Sequence, residues 1–148
     1  MCAGRAASSQ GMARNNTDEV AEPNVFAVDA AIAAFTKGEE WLEQLRAYIY
    51  ENKQITKSYV DAEIDGVSMT ESKATYLCWL DVSNITDDST KLAAYIRKET
   101  GLYLSAGKGF GGDGRSFLRL NVACPKATLM DGLERLKTGI SAFVNSGR

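Results

Sequence analysis

The sequence contains no histidine, and this absence excludes several kinds of active site. Ser-His-Asp and Cys-His nucleophilic sites both need an imidazole base, so this chain alone can assemble neither of them. Metal sites that use imidazole nitrogen are excluded for the same reason, and we expect no metal site. The three cysteines, Cys2, Cys78 and Cys124, show no paired spacing. Such cysteine usage is typical of a reduced, cytoplasmic protein.

The net charge is also small, and the chain has no long apolar run. The formal net charge of the 148 residues is -2, so no basic excess calls for a nucleic acid or an anionic membrane. The longest apolar runs, such as residues 74–80, are far too short to span a bilayer. We therefore predict no nucleic-acid partner and no membrane partner. Apolar residues make up 45% of the chain and charged residues 24%, which is ordinary for one globular domain.

The first 22 residues differ from the rest of the chain. They hold several small residues and two arginines but show no apolar periodicity. This composition is typical of a disordered or unrelated leader, although a transit peptide would look similar. Without an apolar segment of sufficient length, a signal peptide is excluded. We assign residues 23–148 to a single domain.

Beyond residue 22, apolar spacing predicts two consecutive helices. Asn24 is a suitable N-cap for the first helix, and Lys37-Gly38 marks its end. Glu39 and Glu40 begin the second helix, where carboxylates complement the helix dipole. The first helix repeats apolar residues at Val25, Val28, Ile32 and Phe35. The second carries a long apolar stripe that we expect to lie in the core: Trp41, Leu42, Leu45, Tyr48, Ile49, Ile55 and Tyr59.

Three segments beyond the turn at Asp65-Gly66 are predicted to be strands. Residues 74–82 are nearly all apolar, with β-branched and aromatic members, which indicates a strand covered on both faces. Residues 102–105 form a short strand, and residues 116–123 form another.

Two more helices complete the chain. The acids at Asp87 and Asp88 begin the third helix, with Leu92, Tyr95 and Ile96 on its inner face, and Gly101 ends it. Pro125 begins the last helix, whose predicted apolar face is Leu129, Met130, Leu133, Leu136, Ile140 and Val144. The predicted fold class is therefore α/β, a small two-layer domain in which a small β-sheet is backed by helices.

Residues 107–114 are rich in glycine and invite a nucleotide-binding interpretation. Gly107, Gly109 and Gly112 match the G-x-G-x-x-G pattern. A dinucleotide site needs that loop to precede a helix N-terminus, which meets the pyrophosphate. Here a predicted strand follows the loop, so we favour a hairpin loop over a nucleotide site.

Arg119 is the main candidate for a binding residue. In the strand SFLRLNVA, Leu118, Leu120 and Val122 share one face, which is the natural core face. Arg119 therefore points away from the core on a rigid strand. A guanidinium fork can grip a carboxylate through two parallel hydrogen bonds, although most strand arginines are solvated or form structural salt bridges.

Other reactive side chains have simpler interpretations. The acid pairs at Glu39-Glu40 and Asp87-Asp88 are typical of helix starts rather than paired catalytic carboxylates. Cys124 has no histidine partner. No lysine lies in an apolar pattern that would lower its pKa for Schiff-base chemistry. We predict no catalytic residue within this chain.

Three segments resemble a known family. They are AAFTKGEEWLEQLRAYI (33–49), ATYLCWLDVS (74–83) and GLYLSAGKGFGGDGRSFLRLNVACP (101–125). Together, in this order and spacing, they resemble the MalY/PatB-type cystathionine β-lyases of the class I/II aminotransferases. The resemblance implies a fold type I enzyme that uses pyridoxal 5'-phosphate (PLP). It places residues 23–148 in the C-terminal domain with its lead-in helix.

The resemblance also implies roles for particular residues. Arg119 would bind the α-carboxylate of an L-amino-acid substrate, such as a cysteine conjugate or cystathionine. The loop at 107–114 would lie near the mouth of the site, and the region around Asn24 near the interface of a homodimer. Residues that would contact PLP within this chain stay unknown.

The resemblance departs from the family in one large respect. The family's Schiff-base lysine, the aspartate that pairs with the pyridine nitrogen and most phosphate ligands lie upstream of the matched region. The chain is therefore either a fragment or a natural truncation, and alone it is expected not to bind PLP covalently. The first interpretation is a partial lyase or aminotransferase that closes over a PLP site on a missing domain. The second is a stand-alone, non-catalytic module that binds a small carboxylate or a protein.

Overall fold

The computed structural model describes residues 24–147, so the predicted leader at 1–22 lies outside the described residues. The helices are α1 (Val25–Lys37), α2 (Glu39–Glu63), α3 (Ser89–Thr100) and α4 (Lys126–Asn145). The strands are β1 (Ser68–Met69), β2 (Leu77–Asp81), β3 (Ser105–Ala106) and β4 (Phe117–Asn121). Two short 3-10 turns, Gly107–Phe110 and Gly114–Ser116, join β3 to β4. The chain divides into two units between Glu43 and Gln44.

The first unit contains α1 and the beginning of α2. Asn24 caps α1 as predicted, because its Oδ1 accepts a hydrogen bond from the Ala27 amide at 2.9 Å. At the other end, the Gly38 amide donates to the Ala34 carbonyl oxygen at 3.1 Å. The predicted start and stop of this helix are thus confirmed.

The apolar side chains of the first unit are exposed. No residue of α1 is buried, and Phe35 is 93% exposed. Trp41 and Leu42 of α2 are 67% and 48% exposed. The prediction that the whole α2 stripe lies in the core is therefore wrong for its N-terminal part. A helix face becomes core only where other side chains cover it, and Trp41 and Leu42 stay largely exposed within the described residues.

The second unit contains a four-stranded antiparallel sheet in the order β1-β2-β4-β3. In the central pair, Cys78 lies opposite Leu120 and Leu80 lies opposite Leu118. These four side chains form the core face of the sheet. Both edge strands, β1 and β3, are only two residues long. The sequence did not predict β1, since two residues carry too little pattern to identify a strand.

Within the described part of the second unit, the C-terminal part of α2, α3 and α4 pack on one face of this sheet. Cys78 and Leu80 are fully buried, whereas Trp79 between them is only half-buried. The expectation that residues 74–82 are covered on both faces is therefore wrong for the described residues. The buried apolar residues of the core come from several elements. They include Val60 of α2, Leu92 and Ile96 of α3, Leu118 and Leu120 of β4, Val122 just after β4, and Leu129, Leu133, Leu136, Ile140 and Phe143 of α4.

The buried stripe of α4 includes Phe143 in place of the predicted Met130 and Val144. Met130 and Val144 are 39% and 56% exposed, whereas Phe143 is 1% exposed. Burial recurs at 129, 133, 136, 140 and 143, alternating steps of four and three residues, which is the spacing of one helix face. Met130 and Val144 each lie one residue beyond that stripe. The small α/β domain with a sheet backed by helices is nevertheless confirmed.

Candidate functional site

Arg119 lies at the centre of strand β4, on the face opposite to the core helices α3 and α4. Its neighbours Leu118 and Leu120 are 0% and 7% exposed and point into the core. Arg119 itself is half-buried on the opposite face. The alternation predicted for this strand is therefore confirmed, and it fixes the direction of the guanidinium.

Two strands flank Arg119 and supply its nearest partners. Trp79 of β2 and Ser105 of β3 lie directly opposite Arg119 in the sheet register. Cross-strand partners share a face, so the three side chains form one row. Nη2 of Arg119 donates a long hydrogen bond of 3.4 Å to Ser105 Oγ. The Phe110 ring covers the guanidinium, with 4.1 Å between its centroid and Arg119 Cζ.

Aromatic rings surround this row. Trp79 meets Phe110 edge to face, with ring centroids 5.4 Å apart and planes at 89°. It meets Phe117 in a similar way at 6.4 Å and 80°. Beside these rings is an open groove of about 390 Å³ lined by Thr70, Trp79, Phe110, Gly111, Asp113, Gly114 and Phe117. The open face therefore combines one cation with a largely apolar wall.

The charge of Arg119 has no counter-ion among the described residues. Within residues 24–147 it forms no ion pair, whereas Arg115 pairs with Asp87 at 3.6 Å and Arg135 with Asp131 at 2.7 Å. A guanidinium has five N–H donors, and Ser105 accepts a hydrogen bond from Arg119 through Nη2. The arrangement can therefore accept an anionic group from outside this part of the chain.

The glycine-rich loop connects antiparallel strands, as predicted. A Cβ at Gly107 would lie 2.4 Å from the Gly114 carbonyl oxygen, so the base of the loop requires glycine. Gly111 has φ 80° and ψ -171°, which only glycine adopts readily. The loop leads into β4 and not into a helix. The dinucleotide interpretation of the G-x-G-x-x-G pattern therefore lacks the helix N-terminus it requires.

The remaining reactive groups show structural roles. Oδ1 of Asp88 accepts from the amides of Thr90 and Lys91 at 3.2 Å each, which makes it the N-cap of α3. Burial raises the pKa of the Cys78 and Cys124 thiols, which disfavours the nucleophilic thiolate. Within residues 24–147, no group of three or more Cys, Asp or Glu side chains could hold a metal ion, and no helix is long and apolar enough to cross a membrane.

The sequence predicted the outward direction of Arg119 but not the residues that contact it. Alternation along β2 could have placed Trp79 on the open face, because it lies between the buried Cys78 and Leu80. The positions of Ser105 and Phe110 depend on the pairing register and on the path of the loop. Neither of these can be derived from local pattern alone.

Comparison with known proteins identifies the family. The model of the family "Aminotransferase class I and II" matches residues 10–136. Cystathionine beta-lyase PatB of Bacillus subtilis is 38% identical over 118 residues, which cover 80% of this chain and 30% of that protein. Protein MalY of Escherichia coli is 31% identical over 125 residues, covering 84% and 32%.

A solved structure shows the same architecture. The PLP-bound C-S lyase of Staphylococcus hominis, complexed with the inhibitor L-cycloserine, is 27% identical with a TM-score of 0.75. The similarity covers 84% of this chain and 31% of that one. The chain thus spans about a third of the length of these relatives. Since the family model covers most of its residues, the chain belongs to the aminotransferase class I and II family.

Proposed function

We propose that this segment binds the α-carboxylate of an L-amino-acid substrate in a PLP-dependent carbon–sulfur β-lyase or aminotransferase, with Arg119 as the carboxylate ligand. One observation carries the proposal: Arg119 is half-buried on a rigid strand and has no counter-ion among residues 24–147. The names of the relatives favour a substrate of the cystathionine type, such as a cysteine conjugate.

The physical case for Arg119 depends on geometry and partial desolvation. A planar guanidinium and a carboxylate can form two parallel, charge-assisted hydrogen bonds. Partial burial strengthens such a pair, because less water competes for the charges. The apolar groove lined by Trp79, Phe110 and Phe117 lies beside the cation. A ligand with one carboxylate and an apolar or thioether portion would match both features.

The described residues do not fit a covalently held PLP. Lys53 is the buried lysine, at 7% exposure, and its Nζ donates to the Ser72 carbonyl oxygen. The other lysines between residues 24 and 147 are exposed or half-buried at the surface. PLP acts as an electron sink in enzymes of this kind. We therefore propose that the cofactor is anchored by the part of a complete enzyme that corresponds to the remaining two thirds of the relatives.

We extend the proposal to the domain organisation and the oligomeric state of the complete enzyme. Residues 23–148 would form the C-terminal domain with its lead-in helix, and this domain would close over the cofactor site. The complete enzyme would be a cytoplasmic homodimer, with the region around Asn24 near the interface. The exposed apolar side chains of α1 support a covering partner of this kind.

The test is Arg119→Lys in a full-length enzyme that contains this segment. Lysine keeps the charge but loses the two-pronged grip, so kcat/KM for L-amino-acid substrates should fall roughly 30- to 1,000-fold. The free energy of unfolding should change by less than about 1 kcal/mol, because the residue lies outside the core. Both are measured on the same preparation, by steady-state kinetics and urea unfolding.

Arg97→Lys is the matched control. Arg97 is an exposed arginine whose guanidinium also lies over an aromatic ring, at 5.2 Å from the Tyr103 centroid. Its replacement should leave kcat/KM within about twofold, as for an exposed surface residue. If Arg119→Lys unfolds the protein while kcat/KM survives, Arg119 is a structural residue and the proposal is wrong.

A further inference from the structure

We propose that Phe110, on the glycine-rich loop, is a positioning residue for Arg119 and holds its guanidinium plane in the orientation that receives a carboxylate. This inference rests on the proposed function of Arg119. It adds a residue whose part in the site was not predicted from the sequence.

The contact between the two side chains has the geometry of a cation over an aromatic face. Arg119 Cζ lies 4.1 Å from the Phe110 centroid, which is shorter than the 5.2 Å between Arg97 and Tyr103. The negative face of the ring attracts the guanidinium and favours a fixed orientation. Ser105 Oγ holds Nη2 from the neighbouring strand. These two contacts restrict the rotation of a side chain that would otherwise sample many rotamers.

The exposure of Phe110 argues that this ring does more than fill the core. Phe110 is 53% exposed and is absent from the core cluster on the other face of the sheet. Trp79 meets it edge to face at 5.4 Å, and this contact keeps the ring over Arg119. A ring fixed on one side of the guanidinium leaves the edge of the fork free, and a carboxylate binds at that edge.

The glycines of the loop around Phe110 are of two kinds: those at its base leave no space for a side chain, and those next to Phe110 do. Its base is fixed because the backbones at Gly107 and Gly114 approach too closely to admit a side chain. At Gly109 and Gly111, by contrast, an added Cβ would meet nothing within 4 Å. The loop therefore holds the ring through its base and through Trp79, without crowding from its immediate neighbours.

The experiment uses the 148-residue chain and the NMR signal of the Arg119 Nε–Hε group, assigned with Arg119→Lys. The unaltered chain, Phe110→Leu and Phe110→Tyr are compared, with Tyr103→Leu as the matched control that removes the ring over Arg97. Phe110→Leu should remove the ring-current shift of Arg119, while Phe110→Tyr should retain it. Tyr103→Leu should alter Arg97 and leave Arg119 unchanged.

Sodium acetate then serves as the carboxylate probe, against sodium chloride at the same ionic strength. Phe110→Leu should weaken acetate binding at Arg119 about two- to fivefold, and Phe110→Tyr should restore it to within about twofold. Equal acetate affinity in the unaltered chain and Phe110→Leu would overturn the positioning role while leaving Arg119 as a carboxylate ligand. If acetate moves Arg119 no more than Arg97 in the unaltered chain, the proposed function fails, and the role of Phe110 fails with it.

Discussion

Asn52 is a polar side chain that is completely buried in helix α2. Its Nδ2 donates to the carbonyl oxygens of Val122 at 2.8 Å and Cys124 at 3.0 Å. Those carbonyls belong to the segment that joins β4 to α4. One turn earlier on the same helix, the Tyr48 hydroxyl accepts from the Lys126 amide at 2.9 Å. The helix therefore holds the end of the strand that carries Arg119.

Replacing Asn52 by alanine tests how much this anchor contributes. Asn52→Ala leaves two carbonyls without their donor, so the free energy of unfolding should fall by about 1–3 kcal/mol. Gln54→Ala on the exposed side of the same helix should stay within about 0.5 kcal/mol of the unaltered chain. Urea unfolding of both variants measures the difference. Equal midpoints would show that water replaces the amide without cost and that the anchor is unimportant.

The sequence predicted residues with a local pattern and missed those whose role depends on distant partners. Leu118 and Leu120 follow from alternation along one strand, and so does the outward direction of Arg119. Asn52, by contrast, is one polar residue beside a lysine, and its partners are 70 and 72 residues away. Nothing local distinguishes such an asparagine from a solvated one. The role of Arg119 itself stays a prediction.

At the scale of elements, the helix ends were predictable because capping chemistry is local. Asn24, Asp88 and Gly101 all end or begin helices at the predicted places. The extent of burial was not predictable, because it depends on what lies against each face. The first unit shows this clearly, with an apolar groove of about 720 Å³ lined by Ala34, Phe35, Gly38, Glu39, Trp41 and Leu42.

This apolar surface should make the 148-residue chain self-associate. Exposed patches of this kind are uncommon on monomeric proteins and favour contact between copies. Sedimentation velocity at increasing concentration should therefore show association that Phe35→Lys weakens. Val144→Lys, which changes an exposed apolar residue of α4, is the matched control and should leave association unchanged. A monomer at every concentration, without binding of an apolar dye, would contradict the expectation.

For the whole molecule, membership in the family does not by itself provide an anchor for PLP. The chain spans about a third of its relatives, and its described residues offer no lysine suited to hold PLP. The 148-residue chain mixed with PLP should therefore show no stoichiometric yellow band of a lysine-bound cofactor. Absorption spectra at increasing PLP, with and without borohydride trapping, provide the measurement.

The pattern of lysine labelling by PLP distinguishes non-specific reaction from a dedicated site. Weak labelling spread over several surface lysines is expected, since exposed amines react with aldehydes without a dedicated site. Trapping at one lysine only, with loss of the band when that lysine is changed to alanine, would contradict the prediction. Mass spectrometry of the trapped product distinguishes the two results. Lys53 is the lysine to examine first, because it is the buried one.

The edge strands β1 and β3 are only two residues long, and this length should disfavour fibril formation. Long, unpaired strand edges act as templates on which further chains add strand by strand, the first step toward fibrils. Here Ser68–Met69 and Ser105–Ala106 close the sheet on its two sides and offer very few free backbone groups. Contacts between copies should therefore form through helix side chains and remain reversible. Dilution should dissolve them, and the solution should not develop the cross-β signature of amyloid.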